Sequence, residues 1–204
     1  MAAAPARSRT EISREVILDA AVRCLVEYGY AGATTLRIQE LAGVSRGRLL
    51  HHFGSRDALL VGAAHHLAAE RIDAQAATAP PRMRTAPDDP ARIDEAVAAM
   101  WTDFRQPFFW AAVELWVAAR HSDDLRAVLG PTERLLARRI RATLEALFGP
   151  VWSAHPRFRT TTEVLVTSMR GAALTYTFQP RRPTRDPRLP MWIETAHALL
   201  VDGS

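Results

Sequence analysis

TTLRIQELAGVSRGRLLHHFGSR, which spans residues 34–56, contains the signals for two very short helices joined by a tight turn. Thr34 is a suitable N-cap for a helix that ends at Ala42, because its side-chain oxygen can accept a backbone N–H. Ser45 is the corresponding cap for a second helix that ends at Phe53. Gly43 provides a residue that tolerates a positive φ between the two helices. The stretch therefore predicts a helix-turn-helix.

Two helices of this length cannot bury their own apolar faces. We expect their apolar side chains to pack against longer flanking helices: Leu36, Ile38, Leu41, Val44, Leu49 and Phe53. The opposite face of the second helix is then free to enter a major groove. From Arg37 to Arg56 there are four arginines and one acid, Glu40, which gives a local charge of +3. The alternative is a helical hairpin of an all-α bundle whose arginines are simply solvated.

Amphipathic helices are predicted on both sides of this stretch. Apolar residues recur every three or four positions from Ile12 to Tyr28, where Gly29 ends the helix, and Ser55 caps a long helix from Asp57 to Ala77. Four prolines in 78–91 indicate a linker. Beyond it we expect helices at 92–105, 107–120, 123–129, 131–148, 160–178 and 189–202, with loops at 149–159 and 180–188. The predicted fold class is all-α, with about nine helices.

Composition excludes several classes of protein. Of the 204 residues 48% are hydrophobic and 24% charged, which is typical of a globular chain and not of a disordered one. No apolar run approaches the ~20 residues that span a bilayer, and the N-terminus lacks an apolar signal region, so we expect a cytoplasmic protein without membrane contact. The single cysteine, Cys24, excludes an intrachain disulfide. All 26 basic residues are arginines, and the net charge of +4 permits a nucleic-acid partner without showing one.

The order of the features around the helix-turn-helix resembles the TetR family of one-component bacterial regulators. The resemblance covers about residues 12–60: Ile17, Ala20 and Ala21 in the first helix, Gly29-Tyr30, the pattern from Thr34 to Ile38, and AGVSRGxLxHHFxSRDxL from Ala42 to Leu59. It implies a helix-turn-helix DNA-binding domain at 8–56 and an effector-binding and dimerisation domain at 57–204. In the family the third helix reads the operator.

Carried over residue by residue, the resemblance implies a set of DNA contacts: Thr34, Thr35, Ser45, Arg46, Gly47, Arg48, His51, His52 and Arg56. Arg46 and Arg48 are expected to read bases, because a guanidinium can donate two parallel hydrogen bonds to guanine. Gly47 lets the backbone approach a phosphate or base edge closely. The chain departs from the family pattern at Leu50, where a tyrosine usually touches the DNA backbone.

The second half of the chain is rich in aromatic residues, which fit either a core or an effector pocket. Given the resemblance, we expect an apolar or aromatic small molecule to be bound by residues from this set: Trp101, Phe104, Phe108, Trp110, Glu114, Trp116, Met169, Arg170 and Tyr176. Glu114 lies in the apolar run PFFWAAVELWVAAR and would be costly to bury alone. An arginine or a cationic ligand is its expected partner.

The last two long helices carry apolar stripes that resemble the family's four-helix dimer interface. The residues expected there are Val164, Leu165, Ser168, Ala172, Trp192, Ala196, Leu199 and Leu200. A two-fold homodimer predicts a palindromic operator on double-stranded DNA.

Together these features predict a homodimeric transcriptional regulator, a repressor that an apolar small molecule releases from its operator. One alternative is a DNA-binding activator or architectural protein without an effector, and the other is a small all-α enzyme. No catalytic or cofactor motif is apparent in the sequence. The pairs His51-His52 and His65-His66 each offer one ligand per helix face, so no metal site is predicted.

Overall fold

The computed structural model describes the backbone of residues 9–77, 83–178 and 186–201, and the side chains of 14–66, 83–178 and 186–201. Over these ranges there are ten helices and no strand, which confirms the all-α prediction. The helices are α1 Arg9–Gly32, α2 Thr35–Ala42, α3 Arg46–Phe53, α4 Arg56–Ala77, α5 Ala91–Asp103, α6 Pro107–Ala119, α7 Asp123–Phe148, α8 Pro150–Ser153, α9 Phe158–Thr175 and α10 Leu189–Leu200. Parts of two predicted loops, 78–82 and 180–185, lie outside the described residues. None of the described helices has the length and apolar character that a bilayer crossing needs.

The chain divides into two compact units. The first unit comprises the residues up to Arg71 together with Trp110–Leu136, and the second comprises Ile72–Phe109 and the residues from Ala137 onward. These units are defined by which residues pack together. The boundary predicted between residues 56 and 57 instead separates a DNA-binding part from an effector-binding and dimerisation part. That boundary stays a prediction.

The first unit is built around a core to which six helices contribute. Its fully buried side chains include Ile17, Leu18, Ala21, Cys24 and Leu25 of α1, Ile38 of α2, Leu49 of α3, Leu59, Leu60 and Ala63 of α4, Ala111 and Leu115 of α6, and Leu125 of α7. The two short helices therefore contribute one fully buried residue each, as their length requires. Burial also raises the pKa of the Cys24 thiol.

Two of the apolar residues expected in this core are on the surface instead. Leu36 is 58% exposed and Leu41 is 40% exposed. Helix α2 makes only two turns and packs along the stripe centred on Ile38. Leu36 precedes Ile38 by two residues, which is about 200° around the helix, so it faces away from the core.

Two predicted loops or breaks in the second half of the chain are helical. Pro131 was expected to separate two helices, but α7 runs without interruption from Asp123 to Phe148. The predicted loop 149–159 contains the single turn α8, which follows Gly149 at a φ of 84° and begins with Pro150. Proline is well suited to a first helical position, where its missing N–H has no helical partner.

Buried Arg92 of α5 closes the C-terminal end of α7 in the second unit. Its Nε donates to the carbonyl of Leu147 at 2.6 Å, and its two terminal nitrogens donate to the carbonyls of Ala146 and Thr85 at 3.3 and 3.2 Å. The last carbonyls of a helix have no partner within the helix. Arg92 supplies that partner, and it is 7% exposed.

Candidate nucleic-acid interface

The turn between α2 and α3 has the geometry that the sequence predicts. The Thr34 hydroxyl accepts the N–H of Arg37 at 3.2 Å, and the Ser45 hydroxyl accepts that of Arg48 at 3.3 Å. Gly43 has a left-handed φ of 64°, and the N–H of Val44 returns to the carbonyl of Gln39 at 3.1 Å. These bonds cap the start of both short helices and the end of α2. Both predicted caps and the helix-turn-helix are confirmed.

Helix α3 is anchored by one side chain and presents most of the others outward. Leu49 is fully buried, whereas Arg46, Gly47, Arg48 and His51 are exposed. A methyl group added at Gly47 would meet no atom within 4 Å, so nothing in the chain itself requires glycine there. The predicted base-reading residues Arg46 and Arg48 are thus both exposed in the first turn of α3, on either side of Gly47.

The remaining predicted contacts lie around this surface. Thr34 and Ser45 are exposed at the two helix starts, and Thr35 is half-buried. His52 is half-buried, with its ring centroid 6.1 Å from that of Phe53. Leu50, which stands where the resemblance expects tyrosine, is 37% exposed.

The four arginines of the stretch have different surroundings. Arg37 stacks on the ring of Tyr28 at 4.2 Å and donates to the carbonyl of Gly32. Arg56 also donates to backbone carbonyls of the first unit. For Arg46 and Arg48, no hydrogen bond or ion pair joins either guanidinium to another described residue. A count of charge treats these four arginines as equivalent, whereas their contacts in the structure differ.

Arg56 is expected from the resemblance to contact DNA, but its guanidinium faces the chain's own backbone. Its Nε donates to the carbonyl of Ala33 at 2.9 Å, and Nη2 donates to the carbonyl of Tyr30. The guanidinium carbon lies 4.3 Å from the centroid of the Tyr30 ring. The neighbouring Asp57 lies 3.5 Å from Nη1. A phosphate contact would have to share this occupied group.

Glu114 of α6 has a partner that neither of the two sequence-based expectations included. Its Oε2 accepts the backbone N–H of Tyr30 at 2.9 Å. Tyr30 follows Gly29, which interrupts α1 with a φ of 67° and a ψ of 177°. The Tyr30 hydroxyl donates to Asp57 at 2.7 Å. The pKa of Tyr30 is raised mainly by burial and, to a smaller extent, by this hydrogen bond. The carboxylate is therefore satisfied inside the first unit by a backbone amide.

Comparison with known proteins identifies the family. Residues 17–63 match the family model described as bacterial regulatory proteins, tetR family. The HTH-type transcriptional regulator BetI of Burkholderia mallei is 30% identical over 146 residues, which cover 71% of each chain. The chain belongs to the TetR family.

Two further proteins are similar to this chain, one in the sequence of part of the chain and one in fold. The HTH-type transcriptional repressor AcnR of Corynebacterium efficiens is 40% identical over 83 residues, 40% of this chain. That match spans only 44% of the length of AcnR. A crystal structure of a transcriptional regulator from Rhodococcus sp. Rha1 shares the fold, with a TM-score of 0.68 at 24% identity over 94% of this chain and 97% of that one. The family is one of regulatory proteins, not enzymes.

The residues expected to bind an effector in this TetR-family chain fall in both units. Trp110, Glu114 and Trp116 belong to the first, and the other six belong to the second. In the second unit Trp101 and Met169 are buried, Phe104, Phe108 and Tyr176 are half-buried, and Arg170 is exposed. The Trp101 ring packs against Trp192 at 4.6 Å and Tyr176 at 5.8 Å.

Sequence reasoning missed one polar residue beside these aromatics. Asp186 is 3% exposed, and its Oδ1 accepts the Tyr176 hydroxyl at 2.8 Å and the N–H of Arg188 at 2.9 Å. Burial raises the pKa of Tyr176. Among the described residues, neither Oδ2 of Asp186 nor the indole nitrogen of Trp101 has a hydrogen-bond partner. Asp186 follows a proline-rich, arginine-rich stretch that predicts only a loop, which gave no signal of burial.

The residues expected at a dimer interface divide by burial. Leu165, Ala172, Trp192, Ala196 and Leu200 are buried within the second unit, and Leu199 is half-buried. Val164 is 45% exposed, and Ser168 is exposed with its hydroxyl accepting the indole N–H of Trp192 at 2.9 Å. The outward stripe, which we define as Val164, Ser168, Gly171, Leu174 and Phe178, follows the helical repeat along and just beyond α9.

Proposed function

We propose that this TetR-family chain is a DNA-binding transcriptional regulator that acts as a homodimeric repressor. The observation that carries the proposal is the contrast among the four arginines. Arg37 and Arg56 hold the chain's own backbone, whereas Arg46 and Arg48 are exposed on either side of Gly47 in the first turn of α3, without a partner among the described residues. Exposed arginines on the second helix of a helix-turn-helix suit direct readout of guanine in the major groove.

The rest of the proposed DNA surface positions this helix on the duplex. Thr34 and Ser45 lie at the starts of α2 and α3, where their hydroxyls and the adjacent N–H groups suit phosphate oxygens. Thr35, His51 and His52 complete the proposed contacts. Gly47 has open space around its Cα, which supports a close approach by DNA at that position. Arg56 contributes from within the chain by holding the backbone next to Thr34.

The proposed dimer uses the outward stripe of α9 together with α10. Exposed apolar side chains at helical spacing, with the small residues Ser168 and Gly171 between them, suit close packing of a second copy. Met191 of α10 adds a further exposed apolar side chain, at 48% exposure. The buried members of the predicted set support this surface from beneath.

The proposed effector is an apolar or aromatic small molecule bound in the C-terminal part of the chain. The aromatic residues around Trp101 supply apolar surface, and Oδ2 of Asp186, which has no hydrogen-bond partner among the described residues, supplies an acceptor. An effector releases DNA only to the extent that it binds the DNA-free state more tightly, and operator DNA weakens effector binding by the same factor.

Selection of bound sequences from random double-stranded DNA tests the proposal with the full chain. We expect a palindrome whose half-sites are separated by about 10 base pairs or a multiple, because a two-fold dimer places two copies of α3 on one face of the duplex. In vitro transcription from a promoter that carries the selected site then separates a repressor from an activator. Failure to enrich any sequence would contradict DNA binding, and enrichment of a single half-site would contradict the dimer.

A further inference from the structure

A break in α1 leaves one backbone amide without its helical partner. At Gly29 the backbone has a φ of 67°, so the chain leaves the helical path before it makes one more turn, in which the N–H of Ala33 bonds to the carbonyl of Gly29 at 3.0 Å. The N–H of Tyr30 begins this last turn and is directed to Oε2 of Glu114 instead. Glu114 therefore caps the final turn of α1 from α6, 84 residues along the chain.

Tyr30 is held at four points, which we call the Tyr30 node. Its N–H is bound by Glu114, its carbonyl by Arg56, its hydroxyl by Asp57, and its ring lies under the Arg56 guanidinium. Two of these partners begin α4, and the third lies on α6. The node thus fixes the end of α1 to two other helices of the first unit.

The node borders the DNA-reading helices on both sides. Tyr30 lies five residues before α2 begins, and Arg56 lies three residues after α3 ends. Arg56 also binds the carbonyl of Ala33 at 2.9 Å, next to the Thr34 cap of α2. Both connections of the helix-turn-helix to the remainder of the unit therefore pass through this cluster of hydrogen bonds.

The two short helices bury little apolar surface completely, and Ala42 and Phe53 pack against the core while only partly buried. Each contributes one fully buried side chain, Ile38 and Leu49. Apolar contact is non-directional, whereas a hydrogen bond to a carboxylate constrains distance and angle. At Gly29 an added Cβ would lie 2.9 Å from Oε2 of Glu114, so the carboxylate sits directly against the break.

We propose that Glu114 is a positioning residue for DNA recognition. By holding the Tyr30 amide, it sets the orientation in which α2 and α3 meet the duplex, and it does so through the position of its oxygen, not through its charge. This inference rests on the proposed DNA-binding function. It assigns to Glu114 a role in operator recognition that does not require contact with DNA or with an effector.

Three substitutions at one site separate position from charge. Glu114→Gln retains an oxygen at the same reach and loses the charge, Glu114→Asp retains the charge and shortens the reach by one methylene, and Glu114→Ala loses both. Val117→Ala is the matched control, because Val117 lies on the same helix and is 58% exposed. Affinity is measured for the selected operator and for a random duplex, and unfolding temperatures are measured for all variants.

We expect Glu114→Ala and Glu114→Asp to weaken operator binding about ten-fold, which corresponds to about 1.4 kcal/mol, and to change random-duplex binding less than two-fold. Glu114→Gln and Val117→Ala should stay within about two-fold of the unaltered chain on both DNAs. The amide of Tyr30 should exchange its hydrogen faster in Glu114→Ala, while the amide of Ile38, bound to the carbonyl of Thr34 at 3.0 Å, should not change.

Several results would overturn this inference. Operator affinity unchanged in Glu114→Ala would do so, as would an equal loss on operator and random DNA. Normal binding by Glu114→Asp together with loss in Glu114→Gln would show that charge, not position, matters. If Glu114→Ala is unfolded at the assay temperature, the comparison of Gln with Asp decides. Failure of the unaltered chain to bind any duplex would instead refute the proposed function, so the two failures are distinguishable.

Discussion

At the scale of single residues, like charges in one short stretch have unlike roles. The guanidinium groups of Arg37 and Arg56 donate to backbone carbonyls near the end of α1. Those of Arg46 and Arg48 donate to no described residue. A guanidinium with no partner among the described residues keeps its five donors for an external acceptor. The exposed pair on α3 is therefore where a loss of specificity should be measurable.

Replacing Arg46 by alanine should weaken binding to the selected operator by about 1–3 kcal/mol and relax the preference at one base position. The physical reason is the loss of a bidentate hydrogen bond between the guanidinium and a base edge. A random duplex does not present that base at the corresponding position. Titrations with the operator, with operators changed at single positions and with random duplex measure this. Arg23→Ala is the control, because Arg23 is 62% exposed on α1 and pairs with Glu27. An equal loss on operator and random DNA would assign Arg46 to a phosphate.

At the scale of helices, local signals predicted the ends of the elements well. The Thr34 and Ser45 caps and the left-handed Gly43 act over three to five residues, so a sequence reader sees the whole interaction. The prediction of a helix break at Pro131 also depends on a local rule, and it was wrong, because α7 continues through this residue. The caps supplied by Glu114 and Arg92 act across 84 and 55 residues. No sequence pattern joins such partners, so both were missed.

The end of α7 depends on one such distant partner. Arg92→Ala removes three hydrogen bonds and leaves the buried carbonyl of Leu147 without that donor, so we expect the free energy of unfolding to fall by about 2–3 kcal/mol. Denaturant titration followed by circular dichroism measures this change. Arg138→Ala, at an exposed position of α7, should change stability by no more than about 0.5 kcal/mol. Equal stability of the two variants would show that water replaces Arg92 at no cost.

At the scale of the whole molecule, sequence periodicity selected two helices for the proposed dimer surface but did not separate their buried faces from their exposed faces. Leu165 and Trp192 belong to the same helical patterns of apolar residues as Val164. Their side chains are nevertheless buried in the second unit, whereas Val164 is exposed. An amphipathic stripe shows which residues avoid water and not whether the neighbour is the same chain or another copy. The exposed fractions separate the two cases here, so a second copy in the proposed dimer would contact the outward stripe.

A charge in the outward stripe should therefore separate the proposed dimer. Val164→Glu places a carboxylate at a residue that is 45% exposed in one copy, so the subunit should fold while the dimer dissociates. Sedimentation velocity across a concentration series should show a monomer where the unaltered chain is dimeric. Val26→Glu is the control, because Val26 is 41% exposed on α1, in the other unit. A Val164→Glu variant that sediments as the unaltered chain does would place the interface elsewhere.

The buried position of Cys24 has a practical consequence for handling this molecule. The chain contains one sulfhydryl, and it is fully enclosed by the core of the first unit with its pKa raised by burial. Alkylating and oxidising reagents attack the thiolate form of accessible cysteines, so they reach this one only when the surrounding helices open. A dye attached to a cysteine introduced on the surface would thus report from a single known place, without a background from the native sulfur.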